Sequence, residues 1–234
     1  MIKLENLVLA SPEQMSFIIQ GLRNPMNSWE KSDSYENYEA EYDDDLPGVE
    51  IHHPYFRVGA RDRTLMQRLA KAGTDHRKFM RMLPVYVRIT APLYWWKEFD
   101  TYKVGTVANS CSTMHKIQEK EFTLDDFSCE HLSDISIGGV KKQIEYLECL
   151  RTAYVSAKDE DKYAGMNKKD LWWQMIQLLP SSYNQTRNVM MNYEVLANIY
   201  KSRKDHKLDE WREFCKWIES LPFHELITDV RSSD

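Results

Sequence analysis

The stretch from Pro84 to Thr90 is the feature of this sequence that most restricts the fold. Aliphatic residues occupy every second position, which is the period of a half-buried β-strand. Ala91-Pro92 ends this strand, and proline is favoured at the first position of a helix, so we expect a helix over 93–102 to follow directly. The centre of the chain therefore predicts a strand that leads straight into a helix.

Strands and helices do not alternate regularly along the rest of the chain. Residues 2–9 alternate as a strand, and Ser11-Pro12 with Gln14 predicts a capped helix start. From Lys141 onward the pattern indicates helices only. A first helix follows Lys141, and three more are expected over 170–179, 190–203 and 209–221. This mixed order favours the α+β class over a doubly wound sheet, and 234 residues fit one domain, 1–234.

Composition excludes several classes of partner. A net charge of −5 is unsuited to a protein that displaces counterions from a long nucleic acid. No apolar run approaches the roughly 20 residues that cross a bilayer, and the start lacks the pattern of a signal peptide. The widely spaced Cys111, Cys129, Cys149 and Cys215 then read as reduced thiols and not as a zinc site. We expect a cytoplasmic protein with no membrane partner and no bound metal.

Residues 30–47 form an acidic stretch with Tyr35, Tyr38 and Tyr42 and no apolar period. We predict a long surface loop here. Two interpretations stay open, namely a solvated run of charges or a lid or subunit contact.

Residues 91–113 carry the strongest candidate for a ligand site. An aromatic helix is followed by a segment rich in Asn, Ser, Cys and Thr, which makes a poor core element. Such side chains can hydrogen-bond a polar heterocycle. Trp95 and Trp96 either offer stacking surfaces to that ligand or belong to the core, and their spacing does not decide.

At this segment the sequence resembles the flavin-dependent thymidylate synthases, whose signature reads A-P-x-x-x-x-R-Q-x-x-R-H-R-x-x-S-x-N-E-x-S-x-R. Ala91-Pro92 match, and Cys111 lies where the family has its active-site serine, with Ser112 beside it. Other signature positions are held by Lys97, Glu98, Thr101, Tyr102, Lys103, Thr106, Asn109 and Thr113. A second block aligns through Leu179-Pro180, Asn192, Leu196, Asn198 and Arg203, and His76 near Phe79 resembles a family histidine.

The resemblance implies an α+β fold with a twisted, mostly antiparallel sheet and a helical C-terminal half. It also implies reductive methylation of dUMP with FAD, methylenetetrahydrofolate and NADPH, in a homotetramer. By the same resemblance Cys111 and Ser112 would be catalytic. The residues expected to contact the substrate are Lys103, Glu98, Asn109 and Arg203. Those expected to contact the cofactor are His76, Tyr102, Asn192 and Asn198.

Several positions where the family holds anions with arginine differ in this chain, which carries Thr101, Thr113, Ile176 and Glu194. Other cations are available to compensate, namely Arg77, Lys78, Lys103, Arg187 and Arg203. The loss of arginines leaves a second hypothesis open, in which a non-catalytic ligand-binding or assembly protein retains the fold.

Overall fold

The computed structural model describes residues 1–42, 50–158 and 162–229. The strands are β1 Lys3–Leu9, β2 Tyr35–Tyr42, β3 Glu50–Arg57, β4 Pro84–Pro92, β5 Val107–Ser110 and β6 Asn184–Asn192. The α-helices are α1 Pro12–Arg23, α2 Ala60–Lys71, α3 Leu93–Phe99, α4 Thr113–Lys116, α5 Asp134–Ser156, α6 Lys168–Leu178, α7 Tyr193–Arg203, α8 Asp209–Glu219 and α9 Glu225–Thr228.

Four strands form one sheet in the order β1-β4-β6-β5, and β2 pairs with β3 in an antiparallel ribbon. The α+β class expected from the sequence is therefore confirmed. The central strand is also confirmed as β4, and α3 begins at the residue after its last proline. That helix ends at Phe99, three residues before the predicted end.

The first helix begins as its sequence predicts. The side chain of Ser11 accepts a hydrogen bond from the backbone N–H of Gln14, and the Gln14 side chain accepts one from the backbone of Ser11. Pro12 occupies the first turn, where its missing N–H has no intrahelical partner to lose. The predicted capping box is thus present.

The loop prediction for residues 30–47 is wrong for residues 35–42. They form β2, whose Tyr35 lies opposite Arg57 and whose Tyr42 lies opposite Glu50 in β3. The described side chains of this ribbon are mostly exposed, so neither face carries the apolar alternation by which a strand is recognised. Residues 43–49, which also fell within the predicted loop, lie outside the described residues.

The prediction of helices only after Lys141 is also wrong, because β6 occupies Asn184–Asn192. The predicted helix over 190–203 begins at Tyr193, so its first three residues belong to the strand. The first half of β6 is polar and half-buried, and only Val189 and Met191 are buried apolar residues. A strand of this composition shows too little alternation to be read from sequence.

Contacts divide the chain into two compact units, and a single domain for residues 1–234 stays a prediction. The first unit comprises Met1–Glu5, Arg88–Thr101 and Ala108–Asn188. Its main core lies between α5 and α6 and contains Leu147, Leu150, Leu171 and Met175, each at most 1% exposed. Burial of each such side chain contributes about 1.5–3 kcal/mol.

Trp95 and Trp96 of α3 belong to the core of the same unit. Both are at most 1% exposed, and the ring of Trp95 stacks on Phe99 with centroids 5.0 Å apart. The interpretation of these tryptophans as core residues is therefore correct, and they do not form an open stacking surface.

The second unit comprises Asn6–Val87, Tyr102–Val107 and Val189–Asp234. Here α7 packs on α8 and α9. The predicted apolar face of α8 is confirmed, since Trp211, Phe214 and Ile218 have no exposed surface. The helix ends at Glu219, shortly before Pro222.

A buried ion pair stabilises the N-terminal part of the second unit. Asp62 of α2 has no exposed surface and accepts a hydrogen bond of 2.6 Å from Nε of Arg23. The hydroxyls of Ser32 and Ser34 donate to the same carboxylate at 2.7 and 2.6 Å. Burial opposes ionisation of this carboxyl, but the hydrogen bonds and the guanidinium outweigh burial, so the pKa of Asp62 is lowered.

Within the described residues, none of the helices combines the length and the apolar character needed to cross a membrane. The same part of the chain contains no group of three or more His, Cys, Asp or Glu side chains arranged to hold a metal ion.

We predict that Asp62→Asn lowers the free energy of unfolding by about 3–5 kcal/mol, because Arg23 is left buried without its counter-charge. Urea unfolding at pH 7 measures this change. Because the pKa of Asp62 is lowered in the folded state, its ionised form stabilises the fold when the pH is above the unfolded pKa of about 4. This contribution is lost as the pH falls through the folded pKa, so the difference in unfolding free energy between variant and parent should shrink in acid. Glu213→Gln, at an exposed pair with Lys216, is the control and should cost less than about 1 kcal/mol.

Candidate functional site

The first unit contains a cavity of about 990 Å³ beside the polar segment that the sequence singled out. All of its walls belong to this unit. They include Cys111, Ser112, Thr113, Lys116 and Lys120 on one side, and Thr90, Tyr183, Asn184, Gln185 and Thr186 on another. A pocket of this size, with polar groups converging on it, is large enough for a nucleotide-sized ligand.

Cys111 and Ser112 lie in the turn between β5 and α4. The backbone N–H of Cys111 donates to the carbonyl of Thr186 at 2.9 Å, which holds the turn against β6. Ser112 caps α4, and its hydroxyl accepts from the N–H of His115 at 3.2 Å. Both residues are exposed, so the thiol and the hydroxyl are accessible from the cavity they line.

Gln185 of β6 holds the same turn through its side chain. Its Nε2 donates to the carbonyl of Cys111 at 3.2 Å and to Oγ1 of Thr113 at 2.7 Å. Its Oε1 accepts from Nε of Arg187 at 2.9 Å. The Arg187 guanidinium lies 4.1 Å from the ring centroid of Trp96 and is paired with Asp100 at 2.6 Å.

The remaining wall contains hydroxyl groups, three lysines (Lys3, Lys116 and Lys120) and three carboxylates (Asp125, Asp126 and Glu130). Thr90 and Thr186 share a hydrogen bond of 2.7 Å between their hydroxyls, and burial raises the pKa of the Tyr183 phenol, so Tyr183 stays a neutral donor. Lys116 is paired with Glu119, and Lys120 with Asp126. The hydrogen bond that Lys120 donates to the carboxylate of Asp126 raises the pKa of Lys120, so this lysine remains charged at neutral pH.

Glu98 and Asn109, expected to contact substrate, also belong to the first unit. Glu98 is half-buried on α3, and its backbone carbonyl accepts from the Thr101 hydroxyl at 2.8 Å. Asn109 is exposed on β5, two residues before Cys111. Neither is among the residues that line the cavity.

The second unit brings together a separate group of the predicted residues. Tyr102 accepts a hydrogen bond of 2.9 Å from Nε of Arg203, at the C-terminal end of α7. The Arg203 guanidinium also lies 4.7 Å from the ring centroid of Trp211. Arg203 is therefore fixed against two aromatic rings of its own unit.

The N-terminal end of α7 meets the same short segment. Asn192 is buried and caps the helix, and its Oδ1 accepts from the N–H of Val195 at 3.0 Å. Gly105 has a φ of +77°, and a Cβ there would lie 3.0 Å from Nδ2 of Asn192, so glycine permits the close approach. Next to it, the buried hydroxyl of Thr106 has no hydrogen-bond partner among the residues described.

Three more predicted residues of this unit, Lys103, His76 and Asn198, are exposed. The compensating role expected for Arg77 does not fit its contacts. Arg77 is buried and donates to Glu194 at 3.3 Å, and Arg81 binds the same carboxylate. Glu194 thus serves as an internal counter-ion for two arginines.

The resemblance singles out Cys111 and Ser112, which line the cavity, but not Gln185, Thr186, Lys116 and Lys120, which also line it. Gln185 and Thr186 lie on β6, a strand that the sequence pattern does not predict. The available signal is the polar run Asn184-Gln185-Thr186, which begins four residues after Pro180. The two lysines follow the turn at helical spacing and resemble an ordinary solvated face.

Comparison with solved structures supports the fold. The chain is similar to the flavin-dependent thymidylate synthase ThyX of Helicobacter pylori complexed with FAD and dUMP, with a TM-score of 0.60, 16% identity and coverage of 98% of this chain and 99% of that chain. A second structure of that protein with FAD and dUMP gives a TM-score of 0.60 and 16% identity over 97% of each chain. The UMP/dUMP methylase PolB of Streptomyces cacaoi, bound with 5-Br dUMP, gives a TM-score of 0.57 and 14% identity over 98% of this chain and 96% of that chain.

The sequence matches no protein-family model and no curated protein. At identities of 14–16% the structural likeness establishes the fold of this chain. The FAD, dUMP and 5-Br dUMP named above are ligands of those proteins.

We predict that native protein at pH 8 shows two fast-reacting thiols, Cys111 and Cys149, both of which are exposed. Burial raises the pKa of Cys215 to about 12, so only about one in ten thousand of its thiols is ionised at that pH. Maleimide labelling followed by peptide mapping measures each rate. Cys215 should label only after denaturation, and labelling of Cys215 in native protein at the rate of Cys149 would contradict the structure.

Proposed function

We propose that this chain is a divergent relative of the flavin-dependent thymidylate synthases that binds a pyrimidine nucleotide, dUMP or a close analogue, in the cavity beside Cys111. The single observation that carries the proposal is that one cavity of the first unit gathers two thiols, several hydroxyls and three lysines, together with three carboxylates. The similarity of the whole fold to proteins described with dUMP supports it.

The hydroxyl-rich wall suits the base of such a nucleotide. A uracil ring presents two carbonyl acceptors and one N–H donor, and hydroxyl groups can serve either partner by rotating. Thr186, Tyr183 and Ser112 provide such groups around the cavity. In this proposal the thiol of Cys111 or the hydroxyl of Ser112 polarises the pyrimidine.

The lysines suit the phosphate. Lys116 and Glu119 are both more than half exposed, and such ion pairs are worth only about 0–1 kcal/mol. A charge-assisted hydrogen bond to a phosphate contributes about 1.5–3 kcal/mol, so exchange of partners on binding is favourable. Lysine provides a point charge in place of the planar arginine fork found in the family's motif.

We further propose that FAD is the cofactor and that the second unit holds it through Tyr102, Asn192, His76 and Asn198. The buried hydroxyl of Thr106, which lacks a hydrogen-bond partner in the described part of the chain, supports a ligand beside this segment. A bound flavin supplies hydride transfer, and the residues of the chain supply binding and orientation. For Lys103 and Arg203, which belong to the second unit, the substrate contact implied by the resemblance stays a prediction.

A second candidate is a binding or assembly protein without turnover. The pairing of Arg77 and Arg81 with Glu194 favours it, because these guanidinium groups already have a carboxylate. The two candidates differ in a simple observation. An enzyme of the proposed type retains the visible absorption of flavin after gel filtration with FAD and forms dTMP when folate donor and NADPH are supplied. An assembly protein does neither.

We predict that dUMP shields Cys111 from iodoacetamide. At a dUMP concentration ten times the Kd, the alkylation rate of Cys111 should fall about tenfold, because only about a tenth of the sites remain empty. Cys149 lies on α5 outside this cavity and provides the internal control. Equal alkylation of Cys111 with and without millimolar dUMP would contradict the proposal.

The variant Lys116→Gln/Lys120→Gln separates recognition of the phosphate from recognition of the base. Its affinity for dUMP should fall about tenfold or more, as expected from loss of a charged hydrogen bond, and should become less sensitive to salt. Binding of deoxyuridine, which lacks the phosphate, should not change. Lys216→Gln removes a similar exposed i,i+3 pair and is the matched control.

A further inference from the structure

The orientation of the Gln185 amide is determined by its neighbours. An amide has one end that accepts hydrogen bonds and one that donates them. Arg187 carries only donors, so the oxygen of Gln185 must face it, and the observed 2.9 Å contact has this arrangement. The NH2 group is thereby directed to the carbonyl of Cys111 and the hydroxyl of Thr113.

Arg187 is itself held in place and cannot readily turn away. Its guanidinium covers the face of Trp96, a fully buried residue, and pairs with Asp100. The indole N–H of Trp96 donates to the backbone carbonyl of Gln185 at 2.9 Å. Backbone and side chain of Gln185 are therefore both fixed by the aromatic core of the first unit.

We propose that Gln185 is a positioning residue for the ligand site: its amide, oriented by Arg187, holds the Cys111–Thr113 turn on β6 and so determines where the Cys111 thiol meets the ligand. The inference rests on the proposed function for its ligand, but the clamp itself is a property of the free protein. Gln185 acts through Cys111 and is not a catalytic residue.

Besides the amide, the turn is attached to β6 through the pairing of β5, which ends at Ser110, and through the backbone bond from Cys111 to Thr186. The cap bond of Ser112 is internal to α4. Loss of the amide donor should therefore loosen the turn. The substitution Gln185→Glu removes the donor and keeps the shape and the acceptor for Arg187, but it adds a negative charge, so the uncharged Gln185→Met is tested beside it. Gln185→Met removes both donor and acceptor.

Hydrogen–deuterium exchange of the ligand-free protein tests the clamp. In Gln185→Glu and in Gln185→Met we expect about a tenfold loss of amide protection in the peptide covering 107–113, the size that two ordinary neutral hydrogen bonds provide. The matched control is Gln143→Glu, which removes a similar bond of 3.0 Å from a side-chain amide to the carbonyl of Leu178. This control should leave residues 107–113 unchanged.

A second measurement separates positioning from mere stability. At dUMP concentrations that give equal occupancy by calorimetry, Cys111 should be shielded from iodoacetamide in the parent protein and remain reactive in Gln185→Glu. Unchanged protection of 107–113 in Gln185→Glu would overturn the inference, and so would full shielding of Cys111 in that variant. If the parent binds no dUMP but the exchange result holds, the clamp stands and the proposed function fails.

Discussion

The attachment of the Cys111–Thr113 turn to β6 is the interaction on which the candidate site depends. One backbone hydrogen bond and one side-chain amide place the thiol at the cavity wall, and the amide is directed by an arginine that lies on a buried tryptophan. The tryptophans of α3 therefore contribute to the site from within the core. Their packing fixes Arg187, which fixes Gln185, which fixes the turn.

The arginines of this chain are used mainly within the protein. Arg23 is bound to Asp62, Arg77 to Glu194 and Arg187 to Asp100. A buried guanidinium that already has a carboxylate partner is a poor candidate to bind a ligand, because removing that partner leaves an uncompensated charge. The cations that can change partner at low cost are lysines at the rim of the cavity. Under the proposed function, these lysines are the cations that would meet the phosphate.

Sequence reasoning predicted those parts of the fold that have a strong local signal. The strand ending at Pro92, the Ser11 cap and the apolar face of α8 each follow from a few neighbouring residues, and each is confirmed. The ribbon of β2 and β3 and the strand β6 carry no such signal, because the described side chains of the ribbon are mostly exposed and half of β6 is polar. Cys111 and Ser112 are singled out by their place in a motif and their catalytic role stays a prediction, whereas Gln185 is recognised only once β6 lies beside the turn.

The most direct test of the central claim is the position of a bromine atom in crystals of this protein soaked with 5-bromo-dUMP. We predict an anomalous bromine peak inside the cavity lined by Cys111 and Gln185, with the phosphate near Lys116 and Lys120. Cys149 and Tyr163 line a second cavity of the first unit. A peak in that second cavity, or fully soaked crystals without any bound bromine, would contradict the assignment of the site.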